Sequence, residues 1–99
     1  MKFIVGSLTF KPGLRDAFMA EMQPLVQKIR AEEGCVFFEF NPKIDDPDTG
    51  VLSECFVDDA AHRLHKTFPH MVELFARFGP VLESGDVRVH FADETFPDD

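Results

Sequence analysis

The chain has 99 residues, 44% apolar and 28% charged, which suits one domain built on one modest core. Ten Lys and Arg against eighteen Asp and Glu give a net charge of −8, so the basic footprint that nucleic acid and anionic membrane surfaces call for is missing. Two cysteines are too few for a disulfide framework and read as a reduced pair, and no apolar run approaches the roughly 20 residues of a spanning helix.

Residues 2–10, KFIVGSLTF, are β-branched and aromatic and end at Lys11-Pro12-Gly13, which reads as a buried strand closed by a turn. The same stretch lacks a small-residue cleavage site, so it does not read as a secretory leader and the expected location is the cytoplasm. Leu14, Phe18, Met22, Leu25 and Ile29 recur at helical spacing, with Ala17 and Val26 widening the stripe. Residues 13–33 therefore read as one long amphipathic helix, kinked at Pro24 and stopped by Gly34. Cys35 to Phe40 is a second strand, Asn41 to Gly50 a dense turn cluster, and Val51 to Val57 a third strand that forms an antiparallel hairpin with the second. Asp58 or Asp59 can cap a second helix from about residue 60; Thr67-Phe68-Pro69 interrupts it, and Pro69 opens a further helix that ends at Gly79-Pro80. Asp86 to Phe91 alternates apolar and polar residues as a fourth strand, and residues 93–99 read as an acidic, solvated tail.

The order β-α-β-β-α-β is the ferredoxin-like α+β arrangement, with helices on one face of a four-stranded antiparallel sheet. Residues 1–99 read as a single domain. Strands two and three carry large apolar groups on both faces: Val36, Phe37, Phe38 and Phe40 on one, Val51, Leu52, Cys55, Phe56 and Val57 on the other. Such strands need cover on both faces, and a second subunit is the simplest cover for the face the helices leave bare, so a homodimer is expected.

Three stretches in this order resemble the antibiotic biosynthesis monooxygenase (ABM) family. Glu32-Glu33-Gly34-Cys35-Val36-Phe37-Phe38 is similar to its E-x-G-C-hydrophobic-x-aromatic run, Ser53-Glu54-Cys55-Phe56 to its strand-three pattern, and residues 61–70, AHRLHKTFPH, to its second helix and the start of the next. The segment 65–70 also resembles autoinducer-2-processing isomerases of the same superfamily. The resemblance implies a dimeric α+β barrel with a pocket in each subunit between sheet and helices. It implies a small-molecule substrate, and in some members oxidation of phenols or quinols by dioxygen without metal or flavin. Other members degrade haem, isomerise phosphorylated diketones or have no known activity. The chain departs from the pattern in having Phe38 where Tyr is frequent and Phe56 at the strand-three Trp position; no phenol or indole is available anywhere. The haem-degrading pattern of Asn on strand one and His on the last helix is also unmet, since strand one offers Gly6 and Ser7 and the helix Phe75.

Oxidation without a cofactor needs a base with a pKa near working pH, a substrate that becomes an electron-rich anion, and a dry pocket. His65 and His70, on the helices that match the family, are candidate bases. Glu54, a carboxylate on an apolar strand, is a further one. Phe38, Phe56 and Ser7 are the expected substrate contacts. Each polar candidate has a plainer reading: His65 as a half-buried helix residue bonded to a backbone carbonyl, His70 as a solvated first-turn residue, and Glu54 as an acceptor for backbone N–H groups. His62 and His65 share a helix face, but the spacing is loose beside a dedicated zinc motif, so no metal is expected. The leading expectation is a cofactor-independent monooxygenase acting on a small aromatic or quinol. The alternatives are an isomerase of a small carbonyl compound and a non-catalytic small-ligand-binding module.

Overall fold

The computed structural model describes residues 1–92, so the acidic tail read over 93–99 lies outside the described residues. Eight elements follow in the order β1 (Lys2–Phe10), α1 (Arg15–Glu21), α2 (Gln23–Arg30), β2 (Cys35–Pro42), β3 (Thr49–Phe56), α3 (Asp59–His65), α4 (Pro69–Phe78) and β4 (Leu82–Phe91). The strands form one sheet in the order β2-β3-β1-β4, and every neighbouring pair is antiparallel. This is the expected ferredoxin-like α+β fold.

Strand alternation sorts the side chains. Ile4, Leu8 and Phe10 of β1, Phe38 and Phe40 of β2 and Leu52 of β3 face the helices, where they meet Phe18, Met22, Leu25, Ile29, Met71 and Leu74. Phe10 is fully buried, with its ring centroid 5.1 Å from that of Phe18, which in turn lies 4.9 Å from that of Phe78. Each such buried side chain contributes about 1.5–3 kcal/mol of transfer free energy. On the opposite face Val5, Phe37 and Val51 are each more than a third exposed, an apolar surface that the helices do not reach.

Several boundaries differ from the sequence reading, among them β3, which runs Thr49–Phe56 where Val51 to Val57 is expected. The helix expected over 13–33 is two helices separated by Met22 alone. Pro24 occupies the first turn of α2, where its missing N–H costs nothing, and the chain restarts there instead of bending through it. Backbone bonds from Met22 N–H to Phe18 and from Val26 N–H to Met22 keep the two segments closely joined. The second strand runs on to Pro42, which is tolerated because β2 is an edge strand. The fourth strand begins at Leu82 rather than Asp86. Ser84 and Gly85 look like a turn in the sequence but pair with Thr9 and Leu8, beside an irregularity between Thr9 and Phe10.

Several local devices seat α3 against the sheet. The Asp58 carboxylate accepts from the Ala61 N–H at 2.8 Å and caps the helix. Asp59 accepts from Lys2 of β1 and from Arg63, both at 2.6 Å. Gly34 makes room for the first turn, since a Cβ on it would lie 2.3 Å from the Cβ of Ala61. Gly34→Ala is therefore expected to destabilise the fold by about 1–3 kcal/mol through overpacking, read as a lower denaturant midpoint. An unchanged midpoint would show that α3 is free to move outward.

Candidate functional site

Between the sheet and the helices lies a cavity of about 390 Å³. Ile4 and Leu8 of β1, Phe38 and Phe40 of β2, Leu52 of β3, Val87 and Val89 of β4, and Met71, Leu74 and Phe75 of α4 supply most of its wall. Phe75, Val87 and Val89 are also about half exposed, which places them at the opening. The polar part of the lining is confined to Glu54 of β3, His62 and His65 of α3, and Lys66 next to them. An apolar chamber with a few polar groups gathered at one end is the usual form of a small-molecule site.

The polar end is built by two adjoining elements. Glu54 follows Leu52 on the inner face of β3, so alternation alone points its carboxylate at the helices. His62 and His65 are three apart on α3 and present one face, with ring centroids 5.9 Å apart. Phe56 packs against both, with centroids 5.0 Å from His62 and 4.7 Å from His65. His65 stands between two carboxylates. Its Nδ1 lies 2.8 and 2.9 Å from the oxygens of Glu32, in the turn between α2 and β2, and its Nε2 lies 3.5 Å from Glu54 Oε1. Glu32 is held from its other side by His70 of α4, whose Nε2 is 2.7 Å from Glu32 Oε2. The side chains of His65, Glu32 and Glu54 are 2%, 6% and 9% exposed.

Burial dominates the electrostatics. It pushes Glu54 up to about 7, with repulsion from Glu32 adding to the rise and Lys66 opposing it. Burial also pulls His65 below its ordinary value, against the hydrogen bond and charge of Glu32. His62 falls to about 4, chiefly by desolvation and then by the charges of Lys2 and Lys66, and its Nδ1 is buried without a hydrogen-bond partner among the described residues. A carboxyl group poised near neutrality beside a neutral imidazole can accept a proton from a bound acidic hydroxyl or enol. Burial raises the thiol of Cys35 to about 11 and raises that of Cys55 as well; both are free. Among the described residues no group of three or more His, Cys, Asp and Glu is arranged to hold a metal ion.

Of the candidates read from the sequence, Glu54, His65 and Phe38 share the cavity wall. Phe56 does not line the cavity: it is fully buried behind the histidines and supports them. His70 also stands behind the cavity, on Glu32. Ser7 is not among the lining residues, because β1 alternation puts it on the face opposite Ile4 and Leu8, paired with the exposed Val51. Sequence reasoning noticed Glu32 only as part of a motif and missed its link to two histidines. The legible signal was an acidic residue in the turn leading into an apolar strand, in a chain with four histidines to partner it.

The fold and this chamber together define a ferredoxin-like α+β domain with a small-molecule cavity ending in a carboxyl–imidazole pair. A family model described as antibiotic biosynthesis monooxygenase matches residues 1–77, so the chain belongs to the ABM family. The chain is 36% identical over 74 residues to a Bacillus subtilis protein named "Putative monooxygenase YcnE", covering 75% of this chain and 78% of that one. Its fold is similar to the crystal structure of protein SO0527 from Shewanella oneidensis, with a TM-score of 0.81 and 30% identity over 90% of this chain and 87% of that one. It is also similar in fold to PA3566 from Pseudomonas aeruginosa, with a TM-score of 0.83 and 23% identity over 92% of each chain.

The raised Glu54 value carries a consequence for stability. The folded state holds the Glu54 proton more tightly than the unfolded chain does, so ionisation opposes folding. That cost is absent below about pH 4.5, grows as the pH rises toward 7, and is complete above it. Its size is on the order of 3 kcal/mol. Glu54→Gln removes the charge with little change in shape, so it is expected to stabilise the protein at pH 8–9 relative to its effect at pH 4–5, measured as paired melting temperatures. A shift independent of pH would mean that the carboxylate is well solvated in the folded state.

Proposed function

We propose that the protein is a cofactor-independent monooxygenase that oxidises a small aromatic or quinol substrate with dioxygen, and that Glu54, backed by His65, is the base. The observation that carries this reading is that Glu54 and His65 line the same apolar cavity of about 390 Å³, with Glu54 at about 7. A substrate with one acidic hydroxyl or enol seats its ring among Phe38, Leu52, Met71 and Leu74 and turns the hydroxyl to Glu54. Proton transfer to the carboxylate leaves an electron-rich anion in a dry chamber. The anion passes one electron to dioxygen, and the two radicals combine as a carbon-bound hydroperoxide once a proton is supplied. Attack at a ring C–H carbon conjugated with the oxyanion gives a C–H(OOH) centre, and loss of water from it leaves a second carbonyl: dioxygen takes up four electrons, three from that ring carbon and one from the carbon that bore the hydroxyl, as the phenol becomes a quinone. The protein contributes proton transfer, orientation and exclusion of water. Membership of the ABM family and the monooxygenase name of the Bacillus subtilis relative support the class of reaction.

The same reading includes a homodimer joined through the outer sheet face. The partly exposed Phe3, Val5, Phe37 and Val51 on one side of a sheet whose other side is filled by helices support it. Light scattering at micromolar concentration is expected to give twice the 11.2 kDa chain mass, and a persistent monomer would remove this part of the proposal.

Oxygen uptake with a panel of hydroquinones and fused-ring phenols, without added flavin, haem or metal, tests the reaction. The rate is expected to follow protein concentration and to rise with pH through about 7, because the base acts only when ionised. Glu54→Gln should lower it by about 10²–10⁴, the usual worth of a positioned base. A folded Glu54→Gln protein that keeps the parent rate would overturn the assignment. Absence of turnover across the panel would leave the cavity as an isomerase or ligand-binding site.

A further inference from the structure

We propose that Glu32, which does not touch the cavity, is a positioning residue that fixes His65 as the Nδ1–H tautomer and so turns a bare Nε2 lone pair toward Glu54. The inference rests on Glu54 being the base and says how its proton is received.

The argument begins with a count of donors. A neutral imidazole carries one N–H, and a carboxylate only accepts. His65 meets a carboxyl group at each ring nitrogen, so a single proton has two claimants. Distance decides between them: Nδ1 lies 2.8 and 2.9 Å from the two Glu32 oxygens, whereas Nε2 is 3.5 Å from Glu54. If the proton sat on Nε2, the Nδ1 lone pair would face two carboxylate oxygens at close range with nothing between them. With the proton on Nδ1, both short contacts are satisfied. His70 strengthens the choice by approaching Glu32 Oε2 from the far side at 2.7 Å, which fixes the carboxylate in place.

The consequence falls on Glu54. As a carboxylate it faces a nitrogen with no proton to offer, so His65 does nothing to stabilise the anion and Glu54 stays basic. When Glu54 takes the substrate proton, the substrate O–H bond breaks with its electron pair left on oxygen, and a carboxyl O–H forms. That O–H is the donor which the bare Nε2 accepts, so the hydrogen bond appears only after the transfer. The opposite tautomer would reverse both effects and weaken the base. The other groups around the site are His62 of α3, Lys66 just after that helix, and the Cys35 thiol, which feels the charges of both Glu32 and Glu54; Lys2 of β1 acts on His62. Lys66 opposes the rise of Glu54, and burial together with Glu32 outweighs it.

Nitrogen-15 labelling of histidine in the intact protein, read by long-range proton–nitrogen correlation near neutral pH, tests the proposal without any substrate. The expected result is a His65 ring protonated at Nδ1 and bare at Nε2. A ring protonated mainly at Nε2 would overturn the inference, even in an enzyme that oxidises quinols. Glu32→Gln gives the second arm. Removing the charge should allow both His65 tautomers and move the carbon-13-detected titration of Glu54 downward by roughly one pH unit. Unchanged tautomer and titration in the folded variant would reduce Glu32 to a structural contact. Should Glu32→Gln fail to fold, the parent spectrum alone still decides. Failure of quinol oxidation with an Nδ1–H ring observed would count against the proposed reaction and not against the role of Glu32.

Discussion

An ionisable carboxyl group on the helix-facing side of an apolar sheet is expensive, and the arrangement of this protein is easiest to understand from that expense. The side chain of Glu54 is 9% exposed and sits in a row with Leu52 and Phe56 on β3. Burial leaves its charge poorly solvated, so the surroundings must either neutralise it or partner it. Lys66 offers a partial counter-charge from the cavity wall, and the ring nitrogen 3.5 Å from the carboxylate belongs to His65, which burial disfavours as a cation. The result is a carboxyl group that is neither locked as an anion nor locked as an acid.

That balance depends on how α3 meets the sheet. The helix is short, and its own propensity would not hold it. It is fixed by the Asp58 cap, by the Lys2–Asp59–Arg63 cluster and by the close approach allowed at Gly34. All three bear on the first turn of α3, and together they bring His62 and His65 over Phe56. The turn that carries Glu32 reaches the same place from the other side of the fold, where it joins α3 to α4 through two histidines. Site and scaffold therefore share parts: the contacts that dock α3 also aim its rings.

Much of the fold could be read from the residues, because α2 and α4 carry a 3.6-residue period, β4 alternates, and β1 and the hairpin strands are apolar runs bounded by turn residues. What misled was chemistry with two meanings. Pro24 inside an apolar stripe signals either a bend or a fresh start, and only packing decides. Ser84-Gly85 resembles a turn until β1 is found to pair with it. For the site, Glu54 was legible as a carboxylate on an apolar strand and His65 as a histidine on the helix that resembles the family motif. Ser7 lies on the strand face opposite the cavity, and the Phe56 ring is spent on supporting the histidines, so neither is the substrate contact that residue type alone suggests. Glu32 was hardest to see, since its importance lies in two partners 33 and 38 residues further along the chain.

The irregularity in β2 bears on how much change the site can absorb. Cys35 pairs with Phe56 and Phe37 with Cys55, so Val36 is an extra residue with no counterpart on β3. From Phe37 onward the strand is pinned by its hairpin register, and upstream the chain runs directly to Gly34 and Glu32. Val36 thus acts as slack in the tether between a fixed strand and the carboxylate that grips His65. Taking out one residue there shortens the tether by about 3.3 Å, more than the whole length of the Glu32–His65 contact. Loop length at this one point therefore bears on the site alongside side-chain identity, because the bulge sets how far Glu32 can reach toward α3.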